Sequence, residues 1–180
     1  MRKVILYIAS SLDGFIARKD GKLDWLPGSE VEGSKEVEDT TEEHGYEELM
    51  ERTDALIMGR KTYEQVLTFG DWPYSGMKCY VCTSKKLKDN ENVEISSDAV
   101  SLVKDLKSKD GKDIWLVGGG GLNGSLLSEG LVDEIILTII PVVIGEGIGL
   151  FDKVSNDVKL KLTNSKEFKS GMVQLKYQVA

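Results

Sequence analysis

Four segments of this 180-residue chain carry side chains or backbone freedom that chemistry can use. The first is Val117-Gly118-Gly-Gly-Gly-Leu-Asn-Gly124, a glycine run between a predicted buried strand and a short predicted helix. Side chains there would block a diphosphate, whereas bare amides and the positive end of a helix attract one. A tight packed turn is the competing account. The run does not follow the first strand, where the Gly-x-Gly-x-x-Gly dinucleotide fingerprint sits, so that label does not apply. The second segment is Met58-Gly59-Arg60-Lys61-Thr62-Tyr63, with two cations and a hydroxyl in the first turn of a helix, where acids are usually preferred. A bound anion would explain the inversion, and so would a solvated basic pair. Thr83-Ser84-Lys85-Lys86 follows another strand and could hold a further phosphate or form an ordinary lysine loop. Three phosphate-compatible strand ends in one small chain suit a dinucleotide with an extra phosphate. NADP fits that description better than NAD.

The fourth segment is Lys78-Cys-Tyr-Val-Cys-Thr83. Its Cys79 and Cys82 have the Cys-x-x-Cys spacing of redox and zinc sites, but redox pairs open helices and zinc needs more ligands. In a strand, residues three apart point to opposite faces, so a plain strand is expected.

Charge narrows the partners. With 23 basic and 30 acidic residues the net charge is −7, which repels nucleic-acid backbones but permits a local phosphate site. Met1-Arg-Lys and the short apolar run after it are too brief for a signal sequence. No segment approaches the ~20 apolar residues of a membrane helix. A cytoplasmic protein without nucleic-acid or membrane partners is expected.

The elements that must position these residues alternate between strand and helix. Val4–Ser10 is a strand, broken into a loop by Leu12-Asp-Gly-Phe15 and Asp20-Gly21. Residues 27–40 look like an exposed excursion, and Thr40-x-x-Glu43 has capping-box spacing ahead of an apolar stripe of Tyr46, Leu49 and Met50. Ala55–Met58 reads as a strand, Thr62–Thr68 as a helix, Lys78–Thr83 as a strand and 98–109 as a helix capped by Ser97-Asp98. Asp113–Val117 is a strand, Leu122–Ser128 a helix, and Val132–Val143 a strand whose second half Pro141 disturbs. Two alternating strands, Val158–Phe168 and Met172–Val179, close a hairpin at Lys169-Ser-Gly171. The expectation is a single α/β domain over residues 1–180, with a mostly parallel central sheet flanked by helices and an antiparallel C-terminal hairpin. Ligands of such sheets bind beyond the carboxyl ends of the strands.

Met58-Gly-Arg-Lys-Thr-Tyr63, Leu116-Val-Gly-Gly-Gly-Gly121 and Asp133-Glu-Ile-Ile-Leu-Thr138 resemble the dihydrofolate reductase fold. Ser11-Leu-Asp-Gly-Phe-Ile-Ala17 and Ile140-Pro-Val-Val-Ile-Gly-Glu-Gly147 resemble, more closely, the reductase domain of the bifunctional riboflavin-biosynthesis deaminase–reductase. The resemblance covers nearly the whole chain; no zinc-deaminase domain precedes it, so it implies the reductase half standing alone. It implies NADPH and hydride transfer to a pyrimidine- or pterin-type small molecule, as in 5-amino-6-(5-phosphoribosylamino)uracil reductase. Carried over by position, Ala9, Ile16 and Ala17 flank the nicotinamide. Gly59, Arg60, Lys61 and Thr62, assisted by Ser84 and Lys85, hold the diphosphate and 2′-phosphate, and Gly119, Gly120, Gly121 and Leu122 wrap the diphosphate and ribose. Asp13 lies in the loop over the cofactor, as a turn former or in a catalytic role. Dihydrofolate reduction, another pterin, and a nucleotide-binding module without turnover are the alternatives.

The resemblance also asks for a buried acid on the first helix, about fifteen residues before the Met-Gly-Arg motif. Counting back reaches Glu43, with Glu42 beside it and the capping box as its other role; Thr138 matches the threonine that supports the acid. Residues 27–40 are longer and more acidic than in dihydrofolate reductases, which argues against dihydrofolate. His44 is expected to face solvent on the helix, and Trp25, Trp72 and Trp115 to pack, with Trp25 bordering the pocket. Such domains often pair, and the apolar Ile139–Ile148 stretch suits either a homodimer interface or a buried strand.

Overall fold

The computed structural model describes residues 1–27, 44–87 and 93–180. In chain order it forms β1 (Val4–Ser11), β2 (Phe15–Ala17), α1 (Tyr46–Arg52), β3 (Thr53–Gly59), α2 (Arg60–Val66), β4 (Lys78–Cys82) and β5 (Val93–Ser96). Then follow α3 (Ala99–Ser108), β6 (Asp113–Gly118), α4 (Gly120–Ser128), β7 (Glu134–Ile140), β8 (Ile148–Gly149), β9 (Leu160–Glu167) and β10 (Val173–Val179). The main sheet has the order β5-β4-β3-β6-β1-β7-β10-β9, while β2 and β8 make a separate pair. Neighbours are parallel from β5 to β7 and antiparallel from β7 to β9.

Side-chain alternation builds a core on each face of this sheet. Val4, Leu6, Ala55, Ile57, Ile114 and Leu116 pack with Val103 and Leu106 of α3 and with Leu126 and Leu127 of α4. Their neighbours Ile5, Leu56, Met58, Val81 and Trp115 pack on the other side with Leu49 of α1 and with Tyr63 and Val66 of α2. Both faces of a parallel sheet are covered, so its strands must read as continuous apolar runs, and these do. The cysteines obey the same rule: Cys79 joins the second core and Cys82 packs against the first. Both are free thiols, and burial pushes each up to about 11. Among the described residues no helix is long and apolar enough to cross a membrane.

The expected α/β sheet with an antiparallel edge is the fold found. Asp98 caps α3 by accepting from the Ser101 amide at 3.0 Å. The hairpin turns at Gly171, which has φ +84° and donates to Phe168 O at 2.9 Å. Several boundaries differ, β7 for example spanning Glu134–Ile140 within the expected Val132–Val143. Helix α2 begins at Arg60 rather than Thr62, and a short 3-10 turn continues it over Leu67–Phe69. Helix α4 takes Gly120 and Gly121 into its first turn. Strands β2, β5 and β8, of three, four and two residues, are too short for periodicity to reveal. Helix α1 starts after Gly45, and the predicted capping box at Thr40-x-x-Glu43 lies outside the described residues.

Candidate functional site

Parallel β4, β3, β6 and β1 end along one edge of the sheet, and four of the predicted site residues, Ile16, Gly59, Thr62 and Gly119, come together there. Gly59 ends β3 and Gly118 ends β6. A Cβ added to Gly59 would stand 3.8 Å from Gly118 O and 3.9 Å from Gly119 N. A Cβ on Gly119 would stand 3.4 Å from Thr62 Oγ1 and 3.7 Å from Ile16 Cδ1. The Gly59–Thr62 segment and Ile16 thus close on Gly119 within van der Waals reach. Neither α2 nor α4 has an acid in its first turn.

The four glycines divide by environment. Gly119 is the extended N-cap of α4, and no side chain caps the helix. The first intrahelical bond runs from Asn123 N to Gly119 O at 2.9 Å, so the amides of residues 120–122 precede it. Gly121 has nothing within 4 Å of an added Cβ, which leaves room for a ligand. Gly120 is different: its Cβ would lie 2.2 Å from Gly149 O. Close backbone packing therefore accounts for glycine at 120, where the sequence reading invoked a diphosphate. A Cβ on Gly124 would meet the same segment, 1.9 Å from Asp152 O, and buried Asn123 donates to Leu150 O at 2.9 Å.

The cations lie around the rim. Arg60 Nη1 donates to Glu64 Oε1 at 2.5 Å across one turn, and Lys61 is exposed. Gly59 pairs with Cys82 across the strands, so Ser84 and Lys85, both exposed, stand one strand over. A shallow cavity of about 390 Å³ lined by Leu127, Phe151 and Val158 shares no residue with this edge.

Ile16 and Ala17 lie on β2, which is stitched to the segment after β7. Ala17 pairs with Ile148, and a Cβ on Gly147 would lie 2.2 Å from Ala17 O. Asp13 locks the same contact, accepting from Gly145 N at 2.7 Å and Ile144 N at 3.2 Å. The Ser11 hydroxyl, with these amides, holds the Asp13 carboxyl below its ordinary 3.8. A carboxyl lowered on folding contributes fully above its unfolded value and loses the contribution as pH falls through its folded value. Asp13→Ala should lower the protection of the Ile144 and Gly145 amides, relative to their intrinsic exchange rate at the same pH, by about tenfold, and acidification below 3.8 should progressively lower the same protection in the wild type. Unchanged exchange in the variant would remove the clasp.

On the other side, Ala9 of β1 pairs with Thr138 of β7. Thr138 is buried, and its Oγ1 accepts from Gln174 Nε2 at 3.0 Å. The same nitrogen donates to His44 O at 2.7 Å, and Tyr7 Oη donates to that carbonyl at 3.2 Å. Gln174 escaped the sequence reading, although a glutamine at an inward position of an alternating strand is the signal that marks it. His44 corrects an expectation: it precedes α1, is half-buried, and lies with its ring on Phe168 at 4.5 Å between centroids. The helix begins too late to carry it to solvent. Trp25 packs on Ile140, Phe168 and Met172. Trp72 and Trp115 belong to the second core, joined edge-on through Tyr74. Glu43, the predicted acid, lies outside the described residues.

Comparison with known proteins follows the same outline. The family model of the RibD C-terminal domain matches residues 2–174. The uncharacterised protein YwjB of Bacillus subtilis (strain 168) is 40% identical over 179 residues, 98% of this chain and 97% of its own. A crystal structure from Shewanella sp. PV-4, described as that of a candidate riboflavin biosynthesis protein, is 32% identical over 99% of both chains, with a TM-score of 0.81. Acinetobacter baumannii RibD shares the fold at 17% identity and a TM-score of 0.67, matching all of this chain and 58% of its own.

Proposed function

Because the chain belongs to the RibD C-terminal domain family, a reductase family, we propose that it is an NADPH-dependent reductase of a pyrimidine- or pterin-type small molecule. The observation that carries this reading is the meeting of Ile16, Gly59, Thr62 and Gly119 at the strand ends, beside the uncapped first turn of α4. A side chain at Gly119 would fill that cradle, and Gly121 leaves it open. The donor set is amides, hydroxyls and cations, which is the chemistry a phosphorylated dinucleotide requires.

When bound, NADPH supplies a hydride from nicotinamide C4 to an electron-poor C=N or sugar-derived carbon. Gly59, Thr62, Gly119, Gly120, Gly121 and Leu122 hold the diphosphate and ribose through amides and the Thr62 hydroxyl. Arg60 and Lys61, with Ser84 and Lys85, take the 2′-phosphate. Ala9, Ile16 and Ala17 border the nicotinamide and exclude water with small apolar surfaces. Glu43 or water delivers the balancing proton, with Thr138 in support. The same reading includes a homodimer through the Ile139–Ile148 stretch, where Val143 is 65% exposed; the mass in solution tests it.

Turnover is tested by NADPH consumption with 5-amino-6-(5-phosphoribosylamino)uracil and, in parallel, dihydrofolate. We expect consumption with the uracil and little with dihydrofolate. Glu43→Gln should lower kcat by about 100-fold if Glu43 supplies the proton. Unchanged turnover in that variant would remove the acid assignment, and no consumption with either ring would remove the substrate class.

A further inference from the structure

Two buried ring nitrogens are left over from the hydrogen bonding of the described residues, and both belong to one place. Trp25 Nε1 and His44 Nε2 are closed to solvent and have no hydrogen-bond partner. A buried polar atom left unpaired is costly and calls for a partner; a third such atom, Asn123 Oδ1, lies apart from these two, at the first turns of α4. Trp25 packs on the cluster of Ile140, Phe168 and Met172, together with Ala9 and Val142. The His44 ring lies on Phe168 of the same cluster, tilted by 35°. Its position is fixed, because Gln174 and Tyr7 both grip the His44 carbonyl.

This cluster adjoins the reacting end of the cofactor as proposed above. Ala9, placed beside the nicotinamide in that reading, is one of the residues packed on it. Its wall is apolar and aromatic, with two ring nitrogens set into it. A cation also stands near it: Lys166 Nζ lies 4.6 Å from the Phe168 ring centroid. An indole N–H can only donate, whereas a neutral imidazole nitrogen donates or accepts according to its tautomer. A donor beside a donor-or-acceptor matches a flat ring whose edge carries C=O next to N–H. An aliphatic ketone or an open sugar offers neither the flat face nor that edge.

We propose that Trp25 and His44 are substrate-binding residues, which set their ring nitrogens against the polar edge of a planar carbonyl- and amine-bearing heterocycle lying on the Ile140–Phe168–Met172 surface. The proposal rests on the reductase reading and adds to it the residues that select the substrate. Both nitrogens are closed off, so the ligand must part the surrounding side chains to reach them.

The test separates cofactor from substrate. The same uracil and dihydrofolate are titrated by calorimetry into protein saturated with NADP+, for the wild type and for Trp25→Phe, His44→Phe and His44→Gln. NADPH is titrated into each protein separately. We expect the two phenylalanine variants to raise the Kd of the bound ring by about tenfold or more, and His44→Gln, which keeps a polar nitrogen, to recover part of the loss. The Kd for NADPH should stay within about twofold. Should Trp25→Phe fail to fold, the two His44 variants decide. Unchanged ring binding in the phenylalanine variants overturns the proposal, as does a wild type that binds NADPH but neither ring. A wild type that does not bind NADPH overturns the reductase reading itself, and this proposal with it.

Discussion

Replacing Gly120 by alanine should lower stability by about 3 kcal/mol or more, whereas alanine at Gly121 should leave it within about 0.5 kcal/mol of the wild type. The two glycines are adjacent in one helix, but their surroundings oppose each other. At Gly120 the new methyl would meet Gly149 O at 2.2 Å and Gly149 C at 3.3 Å. These are backbone atoms and cannot swing aside as a flexible side chain could. The segment they belong to is held from several directions. Asp152 N donates to Gly120 O at 3.0 Å, Asn123 Nδ2 donates to Leu150 O, and Leu150 N donates to Gly14 O at 2.9 Å. Displacing it would also loosen β8 from β2, which carries Ile16 and Ala17. For a domain of this size, ~3 kcal/mol corresponds to a fall of about 10 °C in Tm. At Gly121 the methyl has open space. That variant should melt with the wild type yet bind NADPH more weakly. Equal melting temperatures for both variants would mean that α4 and the Gly149–Asp152 segment are not packed as described.

The second large effect concerns Arg60. Arg60→Ala should weaken NADPH roughly ten- to a hundredfold, the usual range for a charged hydrogen bond, and NADH by no more than about threefold. Arg60 already has a partner in Glu64, so competition must be weighed. Ion pairs across one helix turn contribute only about 0.3–0.5 kcal/mol. A 2′-phosphate offers up to two negative charges and can be held by two parallel N–H bonds. The phosphate wins that competition, and the Glu64 pair does not bar Arg60 from the cofactor. Parallel titrations of both nucleotides into both proteins measure the difference. Equal losses for NADPH and NADH would take Arg60 away from the 2′-phosphate.

Legibility in the sequence followed the number of residues that repeat a physical constraint. Strands β1, β3, β6 and β7 are apolar over many positions because both sheet faces are covered, so their runs stand out. The opposite placement of Cys79 and Cys82 follows from strand alternation alone, and the two cores contain them as that rule requires. Strand β5, Val93-Glu-Ile-Ser96, sits at the sheet edge with half its residues exposed, and four residues carry no pattern. The glycine run was legible as a candidate site but not as two kinds of glycine. Gly120 is dictated by residues 149–152, nearly thirty positions away, and no local spacing reports such a contact. His44 was misplaced for a similar reason. Its neighbours look helical, but Gly45, with φ +82°, starts the helix one residue later and turns His44 back toward Phe168 and Gln174.

The central claim is that this chain binds the phosphorylated nicotinamide dinucleotide. It is tested most directly by thermal-shift titration of the purified protein with NADPH and NADH side by side. A ligand at ~100 times its Kd adds about 2.7 kcal/mol, which for a domain of this size raises Tm by roughly 5–10 °C. We expect that rise with NADPH and little change with NADH. A folded sample whose melting temperature moves with neither would contradict the cofactor assignment, and the reductase reading with it.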